Sequence, residues 1–378
     1  MARLSVKKRL AFSILACVIG LGFLEGLLHL VQVASDYRQF RNSLPTATDS
    51  PESHHAQSDP DLGWVHIPDR VHHDFYGPGL TLSIGHQGLR ENPAHSTEDR
   101  GHGRDPEQNT LFRIVCLGDS FTLGYGVGDA DTFPAKLQSL NPRTETLNMG
   151  QGGYSVGQCY LWFRRLGSEL HADCVVLAMI TDDIWRMNST RMMNGYSMPR
   201  FELQDGRLVV SGQPVPAKIP TGQSLEPNTR IGSFFLEHTA TGQFSRQTLG
   251  GHASLEQSDA RQQLLEVTMG IIRALQGVVE RSGGRFAVVL LPEFRELIDE
   301  QAHHDNRLVA TRLEQLATDR NIPFLDLTSD FATLTARQRA NHYLDEQWHH
   351  YSSRGNQLVA ERLHAFLRQY VTEYPKAR

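Results

Sequence analysis

The sequence predicts an α/β protein built on a mostly parallel sheet covered by helices on both faces. Short apolar runs bounded by turn residues recur from Leu111 onward, as in "LFRIVCLGD", "DCVVLAMITDD" and "RFAVVLLP". Runs of that length and composition read as buried strands. Between them lie "VGQCYLWFRRLGSEL" and "DARQQLLEVTMGIIRALQGVVERSG", with apolar residues near i, i+3, i+4 spacing. That is the period of a helix packed by one face. The two patterns alternate, and parallel strands need crossover helices of this kind.

The elements follow in chain order. "MARLSVKKRL" carries Arg3, Lys7, Lys8 and Arg9, and Leu10 to Val31 then runs mostly apolar, broken by Ser13, Glu25 and His29. A helix of that length spans about 33 Å, enough for a bilayer core of about 30 Å. Residues 1–31 are therefore expected to form an N-terminal transmembrane helix, an uncleaved signal anchor. The basic flank stays cytoplasmic and the remainder lies outside the cytoplasm. A cleaved signal peptide is the alternative, but no small-x-small site clearly ends the run. "ILAC" at 14–17 faintly resembles a lipidation motif, but the apolar stretch continues past Cys17.

Residues 32–60 are polar and read as a juxtamembrane linker. Residues 61–110 read as a hairpin-like prelude, with strands in "DLGWVHIPDR" and "LTLSIGHQGLR" followed by a polar loop. The main domain is expected over 111–378. Its order is strand "LFRIVCLGD", a helix starting in "DTFPAKLQSL", strand "TETLNMG", helix 156–170 and strand 173–183. The alternation lapses over about 190–255, an insertion with a hairpin around Asp205-Gly206, placed to form a wall or lid. Helix 259–283, strand 285–292, helix "HDNRLVATRLEQLATDRN", strand "IPFLDLT" and helix "GNQLVAERLHAFLRQY" complete the series.

Bulk properties exclude several classes. At 378 residues, with 39% hydrophobic and 21% charged residues, the chain affords a sizeable core. The net charge is −5 and no long basic run lies outside the N-terminus, which argues against nucleic acid as a partner. The histidine pairs His54-His55 and His72-His73 lack metal-ligand spacing and read as surface residues. No metal is expected. Cysteines 17, 116, 159 and 174 form neither a disulfide framework nor a zinc site.

The informative stretch is "CLGDSFTLGYGVGD", Cys116 to Asp129. Gly and Asp are ordinary turn residues, so Ser120 is either part of a turn or a nucleophile displayed at a strand tip. Three further segments fall at the same edge of the expected sheet: Asn148 to Ser155, Asp182-Asp183 and Asp345 to Gly355. Ligands of open α/β sheets bind beyond the carboxyl ends of the strands.

In order, "GDSFT", "NMGQGGYS", "TDD" and a late His before "SSRGNQLVA" resemble the four blocks of the SGNH (GDSL) hydrolases, over roughly residues 111–370. The resemblance implies a flavodoxin-like three-layer sandwich. It also implies ester hydrolysis through an acyl-serine, with no metal or organic cofactor. Ser120 matches the nucleophile. The backbone N–H groups of Ser120 and Gly153 match two oxyanion-hole donors. The third donor of the family is an Asn side chain, and Asp182 stands in its place. A carboxylate offers no donor, and losing one costs about 100- to 1000-fold in rate; Asp182 serves only if burial keeps it protonated. Asp119 and Asp183 are expected to organise loops.

The family's base lies five residues before the Gly that leads into the last helix, which is His350. The acid expected three residues before it would be Gln347, so the block is out of register. His350 with Asp345 is the chosen pair, and His349 with Glu346 is the rival. "GLR" at 88–90 and "PRFELQDGRL" also resemble features of membrane-anchored bacterial members, without an assigned role.

The expected protein is therefore a serine esterase. It would be anchored by one membrane span and face the periplasm or cell surface, deacylating a small-molecule or glycan ester. An O-acyltransferase using the same serine is one alternative. A non-catalytic envelope binding protein is the other, favoured by Asp182 and the shifted Asp–His spacing.

Overall fold

In the computed structural model of the chain, the residues described are 55–93, 111–189, 195–216, 240–344 and 349–375, the side chains of 240–258 excepted. The chain divides into two units. Met1–Ser50 with Thr221–Gln257 contributes only the beginning of one helix to the described residues; all that follows concerns Pro51–Pro220 with Ser258–Arg378. The expected signal anchor, 1–31, lies outside the described residues. No helix among the described residues is long and apolar enough to cross a membrane.

The prelude consists of two antiparallel hairpins. Strand β1 (Ala56–Asp59) pairs with β2 (Gly63–His66), and β3 (Arg70–His72) pairs with β4 (Leu82–Ile84). β1 falls inside the stretch expected to be linker. Only Ala56 of its four residues is buried, so the sequence offers no apolar run to read. His55 is likewise not a surface residue. It is fully buried, with its ring 5.2 Å from His66 and 5.4 Å from Phe75. Aromatic neighbours distant in sequence make that packing.

Strand β5 (Phe112–Gly118) follows, then a one-turn helix α1 (Ser120–Leu123), α2 (Phe133–Leu140), β6 (Thr144–Gly150), α3 (Val156–Leu170), β7 (Cys174–Met179) and the short α4 (Asp182–Trp185). The hairpin β8 (Arg200–Gln204) and β9 (Arg207–Ser211) turns at Asp205 and Gly206, both at positive φ, as the Asp-Gly pair favours. Helix α5 (Ala240–Arg281), β10 (Arg285–Leu290), α6 (Glu300–Arg320), β11 (Phe324–Asp326), α7 (Thr328–Ala332), α8 (Ala336–His342) and α9 (Ser353–Tyr370) complete the chain.

The five strands of the alternating region form one parallel sheet in the order β6-β5-β7-β10-β11. Counted along the chain this is 2-1-3-4-5, the flavodoxin order. β5 and β7 are buried at every residue, because helices cover both faces; that is why they read as continuous apolar runs. Val115 and Leu117 of β5 face one core with residues of α3, α5 and α6. Ile114 and Cys116 face the other, with residues of α2 and α9.

Two expectations on the insertion change. Its hairpin does not stand alone as a lid: Phe201 is buried at Gly157 of α3, and Leu203 packs at Gly270 of α5. An apolar ring with a glycine to sit on buries there rather than over an open cleft. Helix α5 begins at Ala240, well before the expected start at 259. Adding residues to an existing helix is cheap, and this polar stretch shows no apolar stripe that would announce it.

The carboxyl end of β6 touches α1 through backbone alone. A Cβ on Gly150 would lie 2.1 Å from the Leu123 nitrogen and 2.6 Å from the Thr122 carbonyl carbon. Gly150→Ala is therefore expected to destabilise the fold by about 1–3 kcal/mol, the usual range for overpacking. A lowered thermal unfolding midpoint checks this.

Candidate active site

β5 ends in Gly118-Asp119 because the chain must turn within one residue of a crowded sheet edge. A Cβ on Gly118 would lie 2.2 Å from Thr122 Oγ1 and 2.3 Å from the Ala178 carbonyl oxygen. Asp119 is the N-cap of α1, its carboxylate accepting the Phe121 N–H at 2.8 Å. The turn closes when the Gly124 and Tyr125 N–H groups both donate to the Ser120 carbonyl at 3.0 Å. Ser120 is thus the first residue of a tight turn, 7% exposed.

His350 reaches this serine from the far end of the sequence. Its Nε2 lies 2.9 Å from Ser120 Oγ. The imidazole is flanked by the rings of Tyr125 at 4.7 Å and Phe121 at 4.9 Å, and its carbonyl accepts the Leu344 N–H at 2.7 Å. Ser120 has one hydroxyl proton and two acceptors in reach, His350 Nε2 and Asp119 Oδ2 at 3.3 Å. The imidazole is the nearer.

His349, the rival base, is placed elsewhere. Its Nδ1–H donates to the Leu344 carbonyl at 3.0 Å, and its ring packs on Phe294 at 4.6 Å. Adjacent residues on an extended segment point to opposite sides, and only one of the two meets Ser120. Asp345 and Glu346, the expected acids, lie outside the described residues.

The second block wraps the same turn. Asn148 Nδ2 donates to the Thr122 carbonyl at 2.9 Å, and the Gln151 N–H donates to the Gly118 carbonyl at 3.1 Å. Gly153 takes φ +74°, a left-handed conformation open to glycine. Trp64 of β2 holds the loop from outside, its indole N–H donating to the Gly152 carbonyl at 3.0 Å.

Asp182 is positioned beyond β7, at the same sheet edge, but its carboxylate faces two guanidinium groups. Arg186 Nε lies 3.3 Å from one oxygen, and Arg295 Nη2 donates to the other at 3.1 Å. Asp182 therefore presents acceptors, both engaged, and no donor. Arg186 also donates to Asp119 at 2.9 Å, to Asp183 at 2.6 Å and to the Tyr154 carbonyl at 3.0 Å. One side chain thus ties the first three blocks together, and its surrounding carboxylates hold its proton more tightly than usual. Burial, and next the Asp119 charge, push the Asp183 carboxyl well above its ordinary range. Asp119 and Asp183 organise loops, as expected. Trp64, Arg90 and Arg186 escape a sequence reading; for Arg186 the only signal is its i+4 spacing from Asp182.

Phe294, which packs on His349, belongs to the 3-10 turn Phe294–Leu297 after β10. Glu296 in that turn is 1% exposed, and burial followed by the Glu293 charge raises its carboxyl from 4.5 to about 8. The folded state thus holds a proton that the unfolded chain releases near 4.5. Stability is expected to fall as pH rises from about 4.5 to about 8. Glu296→Gln should flatten that part of the denaturant midpoint–pH curve.

A buried serine with an imidazole at its hydroxyl, at the switch point of a flavodoxin-ordered sheet, places the chain among α/β proteins of the serine-hydrolase class. Residues 116–358 match the GDSL-like Lipase/Acylhydrolase family, and the chain belongs to that family. No curated protein matches the chain. Among solved structures, it is similar to a member of the lipolytic protein G-D-S-L family from Veillonella parvula DSM 2008. That match has 15% identity and a TM-score of 0.38, over 69% of this chain and 98% of the other. An α/β hydrolase enzyme from the metagenome of Lake Arreo, Spain, matches at 13% identity and a TM-score of 0.41, over 67% of this chain and 94% of the other.

Proposed function

We propose that this chain is a serine esterase, tethered to the membrane by residues 10–31, that cleaves an acyl ester outside the cytoplasm. The observation that carries the chemistry is the 2.9 Å approach of His350 Nε2 to Ser120 Oγ. A serine hydroxyl is a poor nucleophile until a base takes its proton, and this is the distance over which a base does so.

Ser120 Oγ attacks the ester carbonyl carbon, and its proton passes to His350 Nε2. The tetrahedral oxyanion is met by the backbone N–H groups of Ser120 and Gly153. Collapse expels the alcohol, which leaves with the proton from His350. A water then attacks the acyl-Ser120 carbonyl, giving its proton to His350, and the acid departs as Ser120 is restored. Asp345 is the acid assigned to orient the imidazole and stabilise its charged form. The basic residues before Leu10 and the apolar run to Val31 support an extracytoplasmic domain. An envelope glycan carrying acetyl or other short acyl esters is the substrate class such an enzyme meets there.

A fluorophosphonate probe is expected to label the wild-type protein and not Ser120→Ala. His350→Ala should lower kcat by about 10⁴-fold or more. A folded wild type that stays unlabelled would remove the esterase reading in favour of a non-catalytic binding protein. Comparing acyl release to water with transfer to an added sugar separates esterase from acyltransferase.

Asp182→Asn restores the amide that the family carries and weakens the hold of Arg186 and Arg295 on this side chain. It is expected to raise kcat by about tenfold or more, since an added oxyanion donor is worth at least that. A fall in kcat would instead assign the work to the carboxylate and its two arginines.

A further inference from the structure

Arg90 closes the "GLR" stretch to which the sequence assigned no role. It is 2% exposed and lies outside the family-matching residues 116–358. Its guanidinium makes five hydrogen bonds. Nε donates to Asp129 Oδ1 at 2.9 Å. Nη1 donates to the carbonyls of Leu123 at 2.8 Å and Gly124 at 2.7 Å. Nη2 donates to the carbonyls of Val127 at 2.7 Å and Thr81 at 3.1 Å. Three of these acceptors belong to the segment immediately after Ser120.

That distribution has a physical reason. α1 is one turn long, so the carbonyls at its end have no following helix to satisfy them. A buried carbonyl left without a donor costs about 1–3 kcal/mol. Arg90 supplies the missing donors from one planar fork. Its own backbone fixes the fork in space, because the Arg90 N–H donates to the Asn148 carbonyl of β6 at 3.1 Å.

The same side chain reaches the other half of the site through stacked rings. Arg90 Cζ lies 5.8 Å from the Tyr76 ring centroid, Tyr76 lies 4.9 Å from Tyr125, and Tyr125 lies 4.7 Å from His350. Tyr125 sits between Gly124 and Val127, the two loop carbonyls that Arg90 grips.

The geometry points to Arg90 as a positioning residue for ester cleavage: by clamping the 123–127 backbone it sets the turn that presents Ser120 and the ring against which His350 rests. This deepens the esterase reading and rests on it. A buried guanidinium facing a single carboxylate is weak evidence of added stability. Its bonds instead converge on the reacting pair. A displacement of about 1 Å at such a pair costs on the order of 100-fold in rate. Lysine keeps the charge but has no planar fork, so it cannot serve all five acceptors.

The test compares the full-length wild type with Arg90→Lys. Three quantities are read: fluorophosphonate labelling rate per folded molecule, kcat and KM on a small soluble acetate ester, and amide exchange over 120–127. Arg90→Lys is expected to label about tenfold more slowly or worse, with kcat reduced and KM changed by less than about twofold, and with faster exchange confined to that turn. Labelling within about twofold of wild type per folded molecule, or exchange unchanged in the turn, would overturn the inference. If Arg90→Lys does not fold, Asp129→Asn takes its place, since it removes only the charge that receives Nε. Slower labelling of that variant supports the clamp, and unchanged labelling overturns it. A folded wild type that never labels speaks against the esterase reading, whereas a labelled wild type with an indifferent Arg90→Lys speaks against the clamp alone.

Discussion

The site depends on a close approach of backbone to backbone at the edge of the sheet. β5 and β6 end in Gly118 and Gly150, and at both positions a side chain would overlap the α1 turn or its neighbour β7. With the Cβ atoms removed, the turn after β5 packs directly on two strands that are themselves buried. Ser120 inherits its position from the most rigid part of the molecule. Nothing else in the site has that privilege: His350 arrives on a separate segment just before α9, and Asp182 on a third.

Charge then does what packing cannot. The loops that follow β5, β6 and β7 share no apolar core with one another, so polar groups hold them. Arg186 binds Asp119, Asp183 and the Tyr154 carbonyl, one from each loop. Burying these groups is costly in isolation, and the cost is offset because each carboxylate keeps a guanidinium or backbone donor. The arrangement also accounts for the third block. Asp182 completes the ring of carboxylates around Arg186, and the same contact draws it away from the role an asparagine would take.

Much of the sheet was legible in the sequence, since strands such as β5, β7 and β10 are buried on both faces and announce themselves as apolar runs. The hairpin at Asp205-Gly206 was legible because its turn demands residues tolerant of positive φ. Ser120 and His350 were legible through block order and spacing. Choosing His350 over His349 was not settled by spacing alone, because the two differ only in which way adjacent side chains point. β1 went unread because one buried residue in four makes no pattern, and His55 because its partners His66 and Phe75 are remote in sequence. Arg90 and Arg186 were hidden for a related reason: a buried arginine looks like any surface arginine until its acceptors are known.

The contact between Trp64 and Gly152 bears on where this domain begins. The family-matching stretch opens at Cys116, yet the loop carrying Gly153 is gripped from β2, and Tyr154 returns the contact by donating its hydroxyl to the Trp64 carbonyl. Gln158, at the start of α3, donates to the Leu62 carbonyl at 2.7 Å. The prelude is therefore not an appendage that could be exchanged between relatives as a module. Modularity ends where hydrogen bonds cross a boundary, and here the boundary drawn by sequence similarity runs through the middle of a single cooperative unit.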